Sequence, residues 1–307
     1  MTRRLVFLAA LVAAALALAA CGGGGDDDRD SPAGTASKPA PIRLGTKNFT
    51  EQYILGELYA QALRAKGIEV ELKSDIGSSE IVDQAMQIGS LDMYPEYIGV
   101  LLSEIAGRSD RPDTAQAAYE EARQFQRGRG YELLAMTPFS DSNAIAVTPA
   151  TAERYGLRSI ADLRKVPGGA RIGAPPEFRT RFEGLVGLRS RYGLRDARVR
   201  ALPIGKQYAA LDRGTVDAAA VFTTDGMLDE DEYVILEDPR NLFSFQNVAP
   251  VVRKAALQRT KGLAEAVDAV SATLTTEAMR SMNAEVDLDG KDPANVARAF
   301  LQAKRLL

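Results

Sequence analysis

The sequence predicts an α/β protein built as two lobes, and three observations point there. Strand and helix patterns alternate across residues 45–99, the same alternation resumes across 171–222, and two apolar runs, 144–147 and 247–252, bracket that second stretch. Strand–helix–strand units of this kind imply parallel strands joined by helical crossovers. Each stretch therefore reads as a sheet with helices packed on it.

Residues 42–45 form a short apolar strand, followed by Asn48-Phe49-Thr50-Glu51, a candidate N-cap with an acid three residues on. A helix begins there. Ile54, Leu55, Leu58, Ala62 and Ala65 fall on one face of it, and Gly67 supplies a left-handed stop. Residues 69–74 are the next strand, 78–88 the next helix with Gly89 as its stop, and 91–94 a third strand running into Pro95 at a helix start. Lys47 stands just before a helix N-terminus, where a cation opposes the helix dipole, a local violation more expected at functional sites. Tyr94 and Tyr97 lie at the carboxyl end of a strand, the side on which open parallel sheets bind ligands. Lys47 and one or both tyrosines could thus face one crevice; by position alone they read equally well as a solvated turn residue and half-buried packing.

Further along, 114–126 is a helix and 131–134 a strand. The polar turn 140–143 then leads into the apolar run 144–147, where the chain first crosses to the second lobe. That lobe starts at 149–155, with Gly156 after it, and follows as strand 171–173, helix 183–192 ended by Gly193, strand 199–202, helix 206–213 ended by Gly214, and strand 216–222. Met86-Gln87-Ile88-Gly89-Ser90-Leu91-Asp92 and Leu211-Asp212-Arg213-Gly214-Thr215-Val216-Asp217 share one pattern, which suggests two lobes on one plan, although common helix-to-strand turn chemistry gives the same string. The run 247–252 is the expected return crossover. Beyond it only helical patterns occur, at 263–272, 275–284 and 295–307, and these are expected to pack on lobe one. The expected boundaries are 42–143 with 253–307 for lobe one, and 144–252 for lobe two including the crossovers.

The N-terminus reads as a secretion signal: Arg3 and Arg4, an uninterrupted apolar stretch from 5 to 20, then Leu18-Ala19-Ala20-Cys21. Sixteen apolar residues are marginal for a membrane span, which needs roughly 20, and small residues before a cysteine resemble a lipoprotein processing site. Cys21 is the only cysteine, so it forms no internal disulfide, and lipidation is the favoured use of its thiol. Residues 21–41 are rich in Gly, Asp, Ser, Pro and Ala and read as a flexible tether to a membrane. The net charge of -3 gives no footprint for nucleic acid. With no histidine and no other cysteine, no Ser-His or Cys-His pair and no Cys/His zinc site can be built, and no Gly-rich phosphate loop occurs. No metal and no cofactor is expected.

The blocks GTKNFTEQYILGELYAQ, GSSEIVDQAM, DMYPEYIG, GAPPEF, FTTDG and APVVR, in this order, resemble the substrate-binding proteins of ABC transporters for quaternary-ammonium osmoprotectants such as glycine betaine, choline and carnitine. The resemblance covers almost all of the chain from Ile42 on. It implies a two-lobed periplasmic-binding-protein-like fold of type II with two crossovers, closing on its ligand like a hinge. It also implies a lipid-anchored, extracytoplasmic, monomeric receptor that is not an enzyme and delivers a small zwitterion or quaternary amine to an ABC permease with a cytoplasmic ATPase. A bilobal sensory module, or an extracellular enzyme acting on a small polar solute, is the alternative.

A quaternary ammonium has no hydrogen to donate and is held by aromatic faces, while a ligand carboxylate calls for Lys or Arg. Carried over by motif, Lys47 and Arg181 would form the basic clamp, Tyr97 one wall of an aromatic box, and Asp141 a polar contact. Three departures follow. Asn143, and Gln246 or Asn247, stand where the family leads one to expect aromatic walls, and Phe222 stands for a tyrosine. With the clamp intact and the box incomplete, glycine betaine itself is expected to bind weakly, and a larger or more polar solute to bind well.

Overall fold

The computed structural model describes residues 40–228 and 232–307. The expected signal peptide, Cys21 and all but the end of the expected tether lie outside them. In chain order the strands are β1 (Ile42–Gly45), β2 (Val70–Lys73), β3 (Met93–Tyr97), β4 (Tyr131–Leu133), β5 (Asn143–Val147), β6 (Arg171–Ala174), β7 (Arg198–Ala201), β8 (Ala218–Phe222), β9 (Val234–Ile235) and β10 (Val248–Arg253). They form two five-stranded sheets, ordered β2-β1-β3-β10-β4 and β7-β6-β8-β5-β9. In each, the first three strands are parallel and the fourth and fifth join antiparallel.

The matching order extends the repeated string into architecture. Asp92 accepts the backbone N–H of Arg43 at 3.1 Å and its guanidinium Nε and Nη2 at 2.8 and 2.9 Å. Asp217 takes the same three bonds from Arg171 at 2.8, 2.9 and 2.7 Å. In each lobe, then, the aspartate before the third parallel strand in chain order clamps an arginine in the first, the second residue of β1 and the first of β6. Burial works against both carboxylates, but the arginine bonds outweigh it and hold them below the usual range.

Helix α1 (Thr50–Ala65) starts one residue later than the sequence suggests: Phe49 takes the N-cap position and no side chain caps the helix. A missing cap costs about 1 kcal/mol, whereas Ile54, Leu55, Leu58 and Leu63 are each fully buried, at about 1.5–3 kcal/mol apiece, so packing decides. That core is shared with Leu263, Val267 and Val270 of the helix Leu263–Ser271, Met279 and Met282 of Thr276–Asp287, and Leu301 of Pro293–Ala303. The C-terminal helices thus pack on the first lobe. The second lobe has a core of its own, built from residues such as Ile145, Ile172, Leu188 and Leu242.

Three expectations are corrected. Pro95 starts no helix; it lies inside β3, directly opposite Pro250 of β10. Neither proline has an N–H, so the two share a non-hydrogen-bonded position of the antiparallel ladder, the one place where a facing pair loses nothing. Residues 248–252 are not part of lobe two: β10 sits between β3 and β4, because five successive apolar or small residues suit a strand buried on both faces. The helix expected over 183–192 is regular only at Gly187–Tyr192, with Glu183 and Gly184 in non-helical conformation. A Cβ on Gly184 would lie 2.2 Å from the Phe178 carbonyl oxygen, so the chain can fold back that tightly only with glycine there.

The two crossings run side by side. Ser140 bridges Asn247, the Asp141 N–H donates to the Gln246 carbonyl at 3.1 Å, and the Gln246 N–H donates to Ser140 Oγ at 3.0 Å.

Candidate ligand-binding cleft

Lys47 follows β1, Tyr97 ends β3, Asn143 opens β5 and Phe222 ends β8; Asp141 and Gln246 lie on the crossings and Arg181 on the loop before the broken helix. All seven residues singled out in the sequence line one cavity between the lobes. Tyr94, which shared the strand-end argument with Tyr97, lies in the core against Val82, Met86 and Leu91 instead.

The aromatic wall contains a residue the sequence reading missed. Phe49 stacks between Tyr97, with ring centres 6.3 Å apart and planes 18° from parallel, and Phe222, at 6.0 Å and 9°. Tyr97 and Phe49 belong to lobe one and Phe222 to lobe two, so the stack spans the cleft. A signal was present: an aromatic residue is a poor N-cap, and its place at the start of α1 invites another use.

Both cations of the expected clamp already have partners. Lys47 is buried and ion-paired with Glu96, and its ammonium lies 4.1 Å from the centre of the Tyr97 ring. Burial lowers its pKa in spite of Glu96. Arg181 donates to both carboxylate oxygens of Glu80, its Nη2 lying 3.0 Å from Oε2 and 3.2 Å from Oε1. Burial works against the Arg181 charge, but Glu80 more than offsets this and raises its pKa; Glu80 in turn is held down to about 2 by the guanidinium, against the push of its own burial. Because Glu80 stands on the helix Ser79–Gln87 of lobe one, this pair also ties the lobes together.

The two amides that replace aromatic walls hold a carboxylate. Asn143 Nδ2 and Gln246 Nε2 each donate to Glu183 Oε2 at 3.0 Å, and the Ser244 N–H donates to Oε1 at 3.0 Å. Burial raises the Glu183 pKa, opposed by these bonds. The break in the helix at Glu183 and Gly184 is what turns this side chain into the cavity.

A third acidic group lies beside the aromatic stack. Glu51 of α1 accepts from the Tyr97 hydroxyl at 2.8 Å and from Asn283 Nδ2 at 3.2 Å, and Thr224 Oγ1 lies 2.6 Å from Glu51 Oε2 and 2.7 Å from Asp141 Oδ1. Burial raises the pKa of both carboxyls. An adjoining cavity shares Phe49, Asp141 and Phe222 and is lined further by Glu51, Tyr208 and Asp225. Sequence alone could not pair Glu51 with Thr224, 173 residues away.

The charge balance follows from these pairings. Lys47 and Arg181 are ion-paired with Glu96 and Glu80, while Glu183, Glu51 and Asp141 are hydrogen-bonded by amides and hydroxyls and feel cations, Arg111 at Glu183 and Lys47 at the other two, only through space. Three stacked aromatic rings beside such carboxyls suit a positively charged group.

Residues 40–303 match the family described as the substrate-binding domain of ABC-type glycine betaine transport systems. The chain is 34% identical over 277 residues to the glycine-betaine-binding protein of Pseudomonas aeruginosa, covering 87% of this chain and 88% of that one. It is 29% identical over 278 residues to the glycine betaine-binding protein YehZ of Escherichia coli, covering 86% and 91%. Its fold is similar to the crystal structure of a glycine betaine/carnitine/choline ABC transporter protein, with a TM-score of 0.69, 24% identity and coverage of 86% of this chain and 99% of that one. These relatives are transport proteins and not enzymes, and the two α/β lobes facing a shared cleft are those of a periplasmic binding protein. The chain belongs to the family of substrate-binding domains of ABC-type glycine betaine transport systems.

Proposed function

We propose that this protein is an extracytoplasmic, lipid-anchored receptor that captures a small cationic or zwitterionic compatible solute and hands it to an ABC permease driven by a cytoplasmic ATPase. The observation that carries the reading of the ligand is the stack Tyr97–Phe49–Phe222 set beside buried carboxyls that are hydrogen-bonded to amides and hydroxyls rather than ion-paired. Phe49 and Phe222 line the same cavity as Asp141, which sets aromatic surface and a carboxyl together for a methylated ammonium. Lys47 and Arg181 act less as an open anion clamp than as members of ion pairs; a ligand carboxylate gains Arg181 only by competing with Glu80. The amides Asn143 and Gln246 brace Glu183, so that side of the cavity favours a ligand with hydrogen-bonding groups over a bare betaine.

The test is a calorimetric screen of the full chain against glycine betaine, choline, carnitine, ergothioneine and amino acids. A cationic solute larger or more polar than glycine betaine is expected to bind best. Tight glycine betaine binding undiminished by Arg181→Ala would overturn both the weak-betaine expectation and any role for Arg181. Anchoring at Cys21 rests on the Leu18-Ala19-Ala20-Cys21 string; Cys21→Ala is expected to release the protein from membranes and remove acyl mass, and a variant that stays membrane-bound with unchanged mass contradicts it. Among the described residues no helix is long and apolar enough to cross a membrane.

A further inference from the structure

Thr224 Oγ1 lies within hydrogen-bond distance of two carboxyl oxygens, 2.6 Å from Glu51 Oε2 and 2.7 Å from Asp141 Oδ1, and all three side chains are buried. A hydroxyl has one proton to donate. With both carboxyls ionised, one of these contacts would press an oxygen lone pair against a carboxylate oxygen with nothing between them, at a site where burial magnifies the cost. The arrangement is satisfied when one carboxyl carries a proton and donates it to Thr224 while Thr224 donates to the other. The surroundings say which. Glu51 also accepts from the Tyr97 hydroxyl and from Asn283, two bonds that favour its charged form, whereas among the described residues Thr224 alone bonds the Asp141 carboxyl, its backbone N–H being the single further donor there. The chain of donation therefore runs from Asp141 through Thr224 to an ionised Glu51.

We propose that the empty cleft holds one proton on Asp141 and that a cationic ligand group seated against Asp141 displaces it, so that binding a cation releases a proton. This rests on the cationic reading of the ligand given above. On binding, the Asp141 O–H bond breaks and the proton leaves to solvent; Thr224 keeps its own proton and its bond to Glu51, the Asp141 carboxylate turns from the Thr224 hydroxyl to the ligand cation, and the ligand charge takes the place of the proton charge. The net charge of the site is unchanged, which is what a buried site tolerates best.

The other groups facing this chain do not supply that proton. Lys47 is matched by Glu96, Arg181 by Glu80, and Asp287 receives the Thr50 hydroxyl at 2.6 Å. Arg280 Nη2 donates to the Thr223 carbonyl at 2.8 Å. Asp225 accepts from the Tyr208 hydroxyl at 2.5 Å and from the Phe222 N–H at 3.1 Å, and burial pushes it up to about 7, so it is the competitor a control must remove.

The experiment titrates choline into the full chain by calorimetry, in Tris and in phosphate, between about pH 5 and pH 8. Because a proton and the cation compete for Asp141, choline affinity is expected to fall by up to about tenfold per pH unit on the acid side, with up to about one proton released, seen as a buffer-dependent enthalpy. Asp141→Asn, whose amide donates to Thr224 as the protonated acid does, is expected to release none and to bind at all pH values as weakly as the wild type does in acid. Asp225→Asn is expected to keep the release. Equal enthalpies in both buffers with a flat pH profile overturn the proposal, as does undiminished release in Asp141→Asn. Should choline not bind at any pH, the cationic reading fails, and the proton is read directly in the empty chain: infrared difference spectra, wild type against Asp141→Asn at neutral pH, are expected to show a protonated carboxyl band, and its absence overturns the proposal.

Discussion

The Lys47 ammonium lies 4.1 Å from the centre of the Tyr97 ring while ion-paired with Glu96, the residue just before that tyrosine. The protein thus places its own cation on an aromatic ring of its binding cleft. Glu96 Oε1 also accepts the Tyr97 N–H at 2.7 Å, so lysine, carboxylate and ring are locked as one unit.

Removing one member of that unit leaves a buried charge without a partner. Lys47→Met is expected to cost about 3–5 kcal/mol in denaturant unfolding, and Lys47→Met combined with Glu96→Gln distinctly less. A double variant no more stable than the single one would contradict a paired burial.

Phe49 is expected to carry ligand affinity. Phe49→Ala removes the middle ring of the stack and is expected to weaken choline binding by about 0.5–2 kcal/mol, roughly 2- to 30-fold in Kd by calorimetry. Unchanged affinity would remove the stack from the recognition argument.

The Arg181–Glu80 pair joins the lobes, so Glu80→Gln is expected to shift the empty protein toward an open form and to weaken binding several-fold. Small-angle scattering of the empty variant should give a larger particle than the empty wild type, and superimposable curves would count against it. The sign in pH follows from the depressed carboxylate: the contribution of Glu80 is present above its unfolded value of about 4.5 and is lost only as pH falls through about 2, so the pair persists at mildly acidic pH.

Asp225 carries the opposite sign. Its folded pKa is raised to about 7 by burial, so the stability it contributes is complete below its unfolded value, about 3.9, and is lost as pH rises toward 7. Asp225→Asn, which can still accept from Tyr208, is therefore expected to gain stability over wild type at about pH 8 by a few kcal/mol and to match it near pH 4. Thermal unfolding at the two pH values checks this; an equal difference at both would assign the effect to packing.

Much of the fold was legible because apolar strands and glycine-stopped helices leave local signals. Gly156 and Gly193 do cap their helices with φ of 60° and 69°. What escaped was nonlocal. Pro95 reads as a helix start until Pro250 is known to face it, and the run at 248–252 reads as a connector until β3 and β4 are seen on either side. The same holds for the cleft. Strand-end position brought out Lys47 and Tyr97, and the family resemblance Arg181, but neither brought out Glu96, Glu51 and Glu80, whose meaning depends on what lies opposite. Asn143 and Gln246 were noticed as departures, yet their use in bracing Glu183 depends on a helix break caused by the close approach of Gly184 to Phe178.

The position of β10 has a bearing on the order in which the chain can assemble. All strands of the second sheet lie between Asn143 and Ile235, and its core is complete by Phe243, so that lobe has everything it needs while the end of the chain is still being made. The first sheet does not: its middle waits for Val248–Arg253, and α1 for the three helices beyond Leu263. The half that is synthesised first is therefore the half that finishes last, and until the C-terminus arrives β3 and β4 present unpaired edges that can pair with those of other copies.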